Sequence, residues 1–240
     1  MADIAEAMAK RGFSPLTDED LCGHSIDDVK CRACSGYGNC GYKTFRLYDG
    51  KPYSVCNLRL GKIQFPYVIR KMESEEDALK IGRIRSQSWH EAYAGLIEQS
   101  ALDKRSPEYC MQHALEMFEE GGTAALAFDE EGEAVGFVIY GICRDKGATE
   151  HTGEVYALYT LEKTYGSGLG RELLEFAEDE LAKADLDQPI VLWALATNGR
   201  GRAFYEKNGY VPDGKIKALP ELGEGVLEVR LTKDEKFERM

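Results

Sequence analysis

Gly153-Glu-Val-Tyr-Ala-Leu-Tyr-Thr160 is followed closely by Tyr165-Gly-Ser-Gly-Leu-Gly-Arg171 and then by a helical pattern. The three pieces read as strand, glycine turn and helix. Over residues 171–183, Leu173, Leu174, Ala177 and Leu181 fall on one helical face. Such a turn gathers backbone N–H groups around one point at the positive end of a helix dipole. That arrangement suits a phosphate or pyrophosphate. No Gly-Lys-Ser/Thr follows the glycines, so the turn is not a nucleoside-triphosphate loop. The upstream strands look like an antiparallel meander, and no parallel unit with an acid about 20 residues on follows, which disfavours a dinucleotide fold.

Working outward, Pro66 stands before a short strand over Tyr67–Arg70. Ser74-Glu-Glu-Asp77 carries an N-cap and an acidic first turn, opening a helix to about residue 98 with a break near Gly95. Ser106-Pro107 opens a second helix, ending before Gly121-Gly122. Strands are expected over 123–128 and 134–140, joined by the turn at 129–133, with 154–160 as the third of the group. Ile190–Leu195 is a continuous apolar run, as in a strand buried on both faces. A short helix over 199–207 ends at Asn208-Gly209, and Val226–Leu231 closes as a strand. The predicted class is α+β (mixed α/β), with a central, mostly antiparallel sheet flanked by helices.

The chain of 240 residues has room for one large or two modest domains, and 43% hydrophobic residues allow a packed core. A net charge of −12 argues against the whole chain being a general nucleic-acid binder. The charge is uneven. Residues 1–28 hold two basic and seven acidic side chains, residues 29–65 hold seven basic and one acidic, and residues 66–240 hold 21 basic and 34 acidic. The expected division is an N-terminal Cys-rich module over 1–65 and a catalytic body over 66–240. No apolar run approaches the roughly 20 residues needed to cross a bilayer. The first ten residues are mixed in charge and do not resemble a secretory signal, so a cytoplasmic setting with reduced thiols is expected.

Cys31, Cys34, Cys40 and Cys56 lie at C-x2-C-x5-C-x15-C spacing, with Gly36, Gly38 and Gly41 to allow turns. Three readings fit. The four thiolates hold a structural zinc ion, they hold an iron–sulfur cluster, or some or all are buried reduced cysteines. Cys110 and Cys143 stand apart and read as small core residues.

Tyr165-Gly-Ser-Gly-Leu-Gly170 resembles the acyl-CoA motif of the GNAT N-acetyltransferase family, Gln/Arg-x-x-Gly-x-Gly/Ala. Three more stretches resemble that family in the right order: Ser88–Ile97, Glu154–Tyr159, and Asn198 with Arg202–Tyr210. The resemblance spans about residues 67–231 and departs at one place, Tyr165 in the Gln/Arg position.

The resemblance implies an acetyl-CoA-dependent N-acetyltransferase that acts on a primary amine of a small molecule or protein. Backbone groups of Tyr165, Gly166, Ser167, Gly168, Leu169, Gly170 and Arg171 would receive the pyrophosphate. Main-chain groups of Leu158, Tyr159 and Thr160 would pair with the pantetheine amides as an added strand, and Asn198 would contact the arm or thioester. Tyr205 matches the general acid that protonates the departing thiolate, and Glu154 matches the general base of some members. The plain alternatives stand beside these. Glu154 pairs with a neighbouring arginine, Tyr205 is a core ring, and Trp89 and Tyr93 either line the acceptor pocket or pack in the core. The acidic surface is solvation, or else it favours a cationic acceptor such as a polyamine, aminoglycoside or lysine-rich tail. Dimers are common in the family, so a homodimer is one expected state. A second class of function also fits. The basic, aromatic segment 29–65 would bind nucleic acid or another protein, with a regulatory or inactive acetyl-CoA-binding body.

Overall fold

The computed structural model describes residues 67–234, together with the backbone of residues 43–48 and 51–56. The chain divides between Pro66 and Tyr67 into two units. In the first, β1 (Lys43–Tyr48) and β2 (Lys51–Cys56) form an antiparallel hairpin, registered from Lys43 opposite Cys56 to Tyr48 opposite Lys51. The sequence reading placed no strands there, although Asp49-Gly50, a strong two-residue hairpin signal, stands between them. Of the expected metal ligands, Cys31, Cys34 and Cys40 lie outside the described residues, as does the side chain of Cys56.

The second unit runs β3 (Val68–Lys71), α1 (Glu75–Tyr93), α2 (Gln99–Asp103), α3 (Pro107–Glu119), β4 (Gly122–Phe128), β5 (Ala134–Ile142), β6 (Gly153–Thr160), α4 (Leu169–Lys183), β7 (Ile190–Leu195), α5 (Gly199–Lys207), β8 (Tyr210–Ala218) and β9 (Leu227–Lys233). Its seven strands are ordered β3-β4-β5-β6-β7-β9-β8, and every neighbour pair is antiparallel except β6 with β7.

Local signals account for the helix starts. The Ser74 side chain accepts from the Asp77 N–H at the head of α1, and Ser106 caps α3 with Pro107 in its first turn. Asp77 is buried, and Arg70 of β3 donates to both its oxygens, at 2.7 and 3.0 Å. That bidentate pair fastens the first helix to the edge strand and holds the Asp77 carboxyl down at about 2.

One sheet face is covered by α1 and α3. Ile81 and Ile84 of the first and Ala114 and Met117 of the second form a core with Leu126, Phe137, Ile139 and Ala157. By strand alternation Gly136 and Val138 face the other way, where Leu173 of α4 lies against Gly136. The buried Leu169, Leu173, Leu174, Ala177 and Leu181 make the apolar face of α4. Each of the four leucines contributes roughly 1.5–3 kcal/mol on burial.

The feature that positions the site is a break in the sheet. Parallel pairing of β6 with β7 stops after three residues, at Val155 opposite Leu192. At that level the β5–β6 register slips: Ile139 faces Ala157 and Tyr140 faces Val155, leaving Tyr156 as an extra residue. A bulge of this kind bends its strand, and here β6 leaves β7. Tyr156 is pinned by its own hydroxyl, which donates to the Ile142 carbonyl at 2.6 Å, and by the Arg144 guanidinium, 3.8 Å above its ring. Gly141 makes room for it, since a Cβ there would fall 2.8 Å from the Tyr156 hydroxyl.

The sequence reading missed β8. This edge strand is exposed along almost its whole length, carries Pro212 and Gly214, and slips register between Pro212 and Ile216, so it shows no alternation to read. Among the described residues no helix is long and apolar enough to cross a membrane.

Candidate active site

The glycine turn joins the open end of β6 to α4. Gly166 and Gly168 take φ values of 84° and 90°, which side-chain-bearing residues rarely adopt, and Gly168 is the N-cap of α4. The Ser167 N–H donates to the Thr164 carbonyl at 3.1 Å, and the Leu169 N–H to Ser167 Oγ at 3.3 Å. Among the described residues the amides of Gly166 and Gly168 have no acceptor. A Cβ on Gly168 would meet nothing within 4 Å, so the space in front of these amides is open. Gly170 instead serves packing, because a Cβ there would touch the Phe204 ring of α5 at 3.4 Å. Arg171 turns along the helix, its Nε donating to Glu175 at 2.7 Å. Free amides at the head of a 15-residue helix fit the pyrophosphate of an acyl-CoA.

Upstream, Leu158, Tyr159 and Thr160 pair with Val138, Phe137 and Gly136 on the β5 side, but β7 has already turned away on the other. Trp193, Ala194 and Leu195 of β7 pair instead with β9. The backbone edge of β6 therefore faces the gap between the two strands, in position to pair with an extended amide-bearing arm. Asn198 caps α5. Its Oδ1 accepts from the Gly201 N–H at 2.9 Å, while its Nδ2 has no acceptor among the described residues.

Tyr165 has a partner the sequence did not reveal. Arg200, in the first turn of α5, lies 4.1 Å over the Tyr165 ring and donates from Nη2 to its hydroxyl at 2.7 Å. Burial pushes the Tyr165 phenol up, and the Arg200 charge opposes that. The family pattern has Gln or Arg at this position of the turn; here a guanidinium reaches the same corner from another helix. Arg200 lies two residues after Asn198 in sequence, and only the contact across elements marks it out.

Two phenols meet at the open end of β6, with a third close by. The Tyr93 hydroxyl of α1 lies 3.3 Å from that of Tyr159, and burial drives the pKa values of both above the ordinary tyrosine value. Tyr205 of α5 lies close enough for Tyr159 to add to the effect of burial, and its phenol is likewise pushed up. Its ring meets Phe204 at 5.1 Å and Tyr210 at 6.0 Å, both edge-on. Its hydroxyl makes no hydrogen bond among the described residues. Trp89 and Tyr93, each 8% exposed, stack edge-to-face at 4.8 Å within a core that also holds Leu102 and Leu195 and packs against Tyr159. They are thus core residues that also border the phenol cluster.

Glu154 sits at the start of β6, before the bulge, and is 2% exposed. Its Oε2 accepts from the Arg144 backbone N–H at 3.0 Å and its Oε1 from Arg144 Nη2 at 2.6 Å. The arginine pairing held open by the sequence is present, and Arg144 is the same side chain that covers Tyr156. Cys110 and Cys143 are buried free thiols, and among the described residues no three His, Cys, Asp or Glu side chains gather as a metal site.

A protein of Mycobacterium tuberculosis named a probable N-acetyltransferase is 25% identical over 141 residues, covering 58% of this chain and 77% of its own. Two solved structures share the fold. One is the PaiA N-acetyltransferase of Thermoplasma acidophilum in complex with coenzyme A, with TM-score 0.54, 22% identity, and coverage of 70% of this chain and 98% of that one. The other is the ribosomal-protein-S5-alanine acetyltransferase of Vibrio fischeri, with TM-score 0.53, 20% identity, and coverage of 71% and 94%. The profile of the Acetyltransferase (GNAT) family matches residues 86–210, a span from inside α1 to the first residue of β8 that contains the glycine turn, the parted strands and Tyr205. By that match and this architecture, the chain belongs to the Acetyltransferase (GNAT) family.

Proposed function

We propose that this protein transfers the acetyl group of acetyl-CoA to a primary amine, with residues 158–171 and 198–205 as the working parts. The observation that carries the reading is a juxtaposition. The β6 edge opens after Val155, and the strand leads directly to a turn whose Gly166 and Gly168 amides are unclaimed among the described residues. Acetyl-CoA supplies an activated acyl group and a thiol leaving group. The turn amides would take the pyrophosphate, and Leu158–Thr160 with Asn198 Nδ2 would align the arm. Most of the acceleration comes from holding thioester and amine together. The amine nitrogen bonds to the acetyl carbonyl carbon and the C–S bond breaks. Tyr205 gives its proton to the departing thiolate, and the amine's surplus proton leaves through water. Calorimetric titration of the full chain with acetyl-CoA, followed by a thiol-release screen of amines, tests the reading. Absence of acetyl-CoA binding would sink it.

Arg200 replaces the side chain missing from position 165, in this reading, by presenting its charge to the phosphates. Arg200→Ala should weaken acetyl-CoA binding about fivefold at low salt, an exposed cation being worth about 1 kcal/mol. The deficit should shrink toward nothing in 1 M salt, where the screening length is about 3 Å. A deficit independent of salt would make Arg200 a packing residue only.

Glu154, as base, would act through water, because both its oxygens already accept from Arg144. Glu154→Gln should lower kcat about tenfold near neutrality, below the usual 10²–10⁴ range for proton-transfer groups because the pairing competes. The deficit should narrow once the pH exceeds the amine's pKa. Unchanged kcat with a lowered unfolding temperature would make the Arg144 pair purely structural.

For residues 1–65 the spacing of Cys31, Cys34, Cys40 and Cys56 supports a zinc site, and the basic composition of 29–65 supports a nucleic-acid or protein partner. Metal analysis and a visible spectrum of the full chain separate zinc from an iron–sulfur cluster and from neither.

A further inference from the structure

Arg85, in the middle of α1, is only 7% exposed, yet no carboxylate pairs with it among the described residues. Its Nη1 approaches His113 Nδ1 at 3.5 Å and Met117 Sδ at 3.8 Å, both on α3. Neither is an anion, and burial together with the Arg85 charge holds the His113 pKa down, which keeps that imidazole neutral. Arg105, in the turn before α3, also lacks a carboxylate. Its guanidinium lies over the rings of Trp89 and Tyr109, at 4.4 and 4.8 Å, and its buried Nε has no hydrogen-bond partner. The buried Nε1–H of Trp89 makes no well-formed hydrogen bond either, although it lies near the Tyr159 hydroxyl. Arg105 Nε and Trp89 Nε1 are thus left without acceptors, and Arg85 has only neutral ones, in a chain that is acidic overall.

Desolvating a guanidinium costs several kcal/mol unless an anion and full hydrogen bonding offset it. Contact with an aromatic face returns only a small part of that cost. A forked guanidinium with free N–H groups is matched by a carboxylate or phosphoryl group that accepts two bonds at once. The place is specific. Arg85, Trp89 and Tyr93 recur at four-residue steps along one face of α1, and the Tyr93 hydroxyl meets Tyr159 at the open end of β6. Arg85 is also near enough to the Tyr159 phenol to oppose the rise that burial gives its pKa. An anion bound at Arg85 would therefore lie on the α1 side of the open end of β6, within reach of the charge that acts on Tyr159.

We propose that the acceptor is an amine that also carries a carboxylate or phosphoryl group, an amino-acid-like molecule rather than a polycation, and that Arg85 and Arg105 bind that anion. The proposal rests on the acetyltransferase reading above and names its second substrate. It sets aside the polycation expected from overall charge: the acidic surface is solvation, and Arg85 and Arg105 supply the charge that an anion would meet, although Glu228 also acts on the Tyr93 and Tyr159 phenols.

The test compares wild type with Arg85→Met and Arg105→Gln, all as full chains saturated with acetyl-CoA. Thiol release is followed with the common amino acids, their decarboxylated amines, phosphoethanolamine, spermidine and a lysine-rich peptide. Wild type should favour an amino acid over its decarboxylated amine, or phosphoethanolamine over ethanolamine, by about 100-fold in kcat/KM, since a site built for a polar group rejects analogues lacking it. The carboxylate and phosphoryl arms tell the two anions apart. In either variant the preference should fall below about tenfold. Acetyl-CoA affinity should be unchanged. Unfolding temperature is an independent readout: Arg85→Met should match or exceed wild type, because it removes an uncompensated buried charge. Glutamate or phosphate should raise the wild-type midpoint above that in sodium chloride of equal ionic strength, and should not do so in Arg85→Met. A preference for spermidine, the peptide or the decarboxylated amines would overturn the proposal, as would a fall in unfolding temperature in Arg85→Met with no anion effect in wild type. If no amine in the panel reacts, the anion-dependent midpoint decides. Failure of wild type to bind acetyl-CoA would instead strike the acetyltransferase reading.

Discussion

Gly168→Glu should weaken acetyl-CoA binding by at least about 100-fold while the protein remains folded, a loss of roughly 3 kcal/mol. Gly168 is the left-handed N-cap of α4, and any side chain there meets about 1–2 kcal/mol of backbone strain. A carboxylate near a helix N-terminus recovers part of that, up to about 1 kcal/mol. The fold therefore survives. The cofactor site does not, because the direction a Cβ would take from Gly168 is open space before the free amides of the turn. A carboxylate placed there occupies the amides and repels a pyrophosphate. Gly168→Ala isolates the strain: it should lower the unfolding temperature slightly and change acetyl-CoA affinity only a few-fold. Calorimetry on both variants checks the pair. Wild-type affinity in Gly168→Glu would mean that the phosphates bind elsewhere.

Most of what depended on local sequence was legible, the β1–β2 hairpin around Asp49-Gly50 being an exception, and what depended on contacts between distant elements was not. Strand, turn and helix over 153–183 are written in short-range pattern, and the structure places them at Gly153–Thr160 and Leu169–Lys183. The caps at Ser74 and Ser106 were legible for the same reason. The parting of β6 from β7 was not, because it depends on a one-residue slip at Tyr156 whose cause lies in Gly141, Ile142 and Arg144. Trp193 read as core from its apolar run, yet it is only partly buried, with Lys217 of β8, a strand the pattern did not reveal, over its ring. The site divides in the same way. The glycines, Asn198 and Tyr205 could be named from motif spacing. Arg200 became visible only because it stacks on Tyr165, 35 residues away in sequence, and Arg85 only because its burial leaves it without a carboxylate. The sequence cannot distinguish a paired arginine from an unpaired one.

The largest effect on turnover is expected at Tyr205. Tyr205→Phe keeps the ring that packs against Phe204 and Tyr210 and removes only the hydroxyl. Unfolding temperature and acetyl-CoA affinity should therefore hold, while kcat falls about 100-fold, the lower range of general-acid contributions. The sign of the pH dependence follows from the direction of the pKa. Tyr205 works in its protonated form, and burial pushes its phenol above the ordinary value of 10.0, with nearby Tyr159 adding to the rise. It stays protonated across the neutral and mildly alkaline range. Wild-type kcat/KM should then climb as the acceptor amine loses its proton and show no tyrosine-linked fall below about pH 10. In Tyr205→Phe the climb should keep its midpoint and reach a lower plateau, because the variant loses the proton delivered to the thiolate and not the step that frees the amine. A shifted midpoint would make the phenol the amine's proton acceptor. Undiminished kcat would return Tyr205 to the core, and the departing thiolate would then take its proton from another donor.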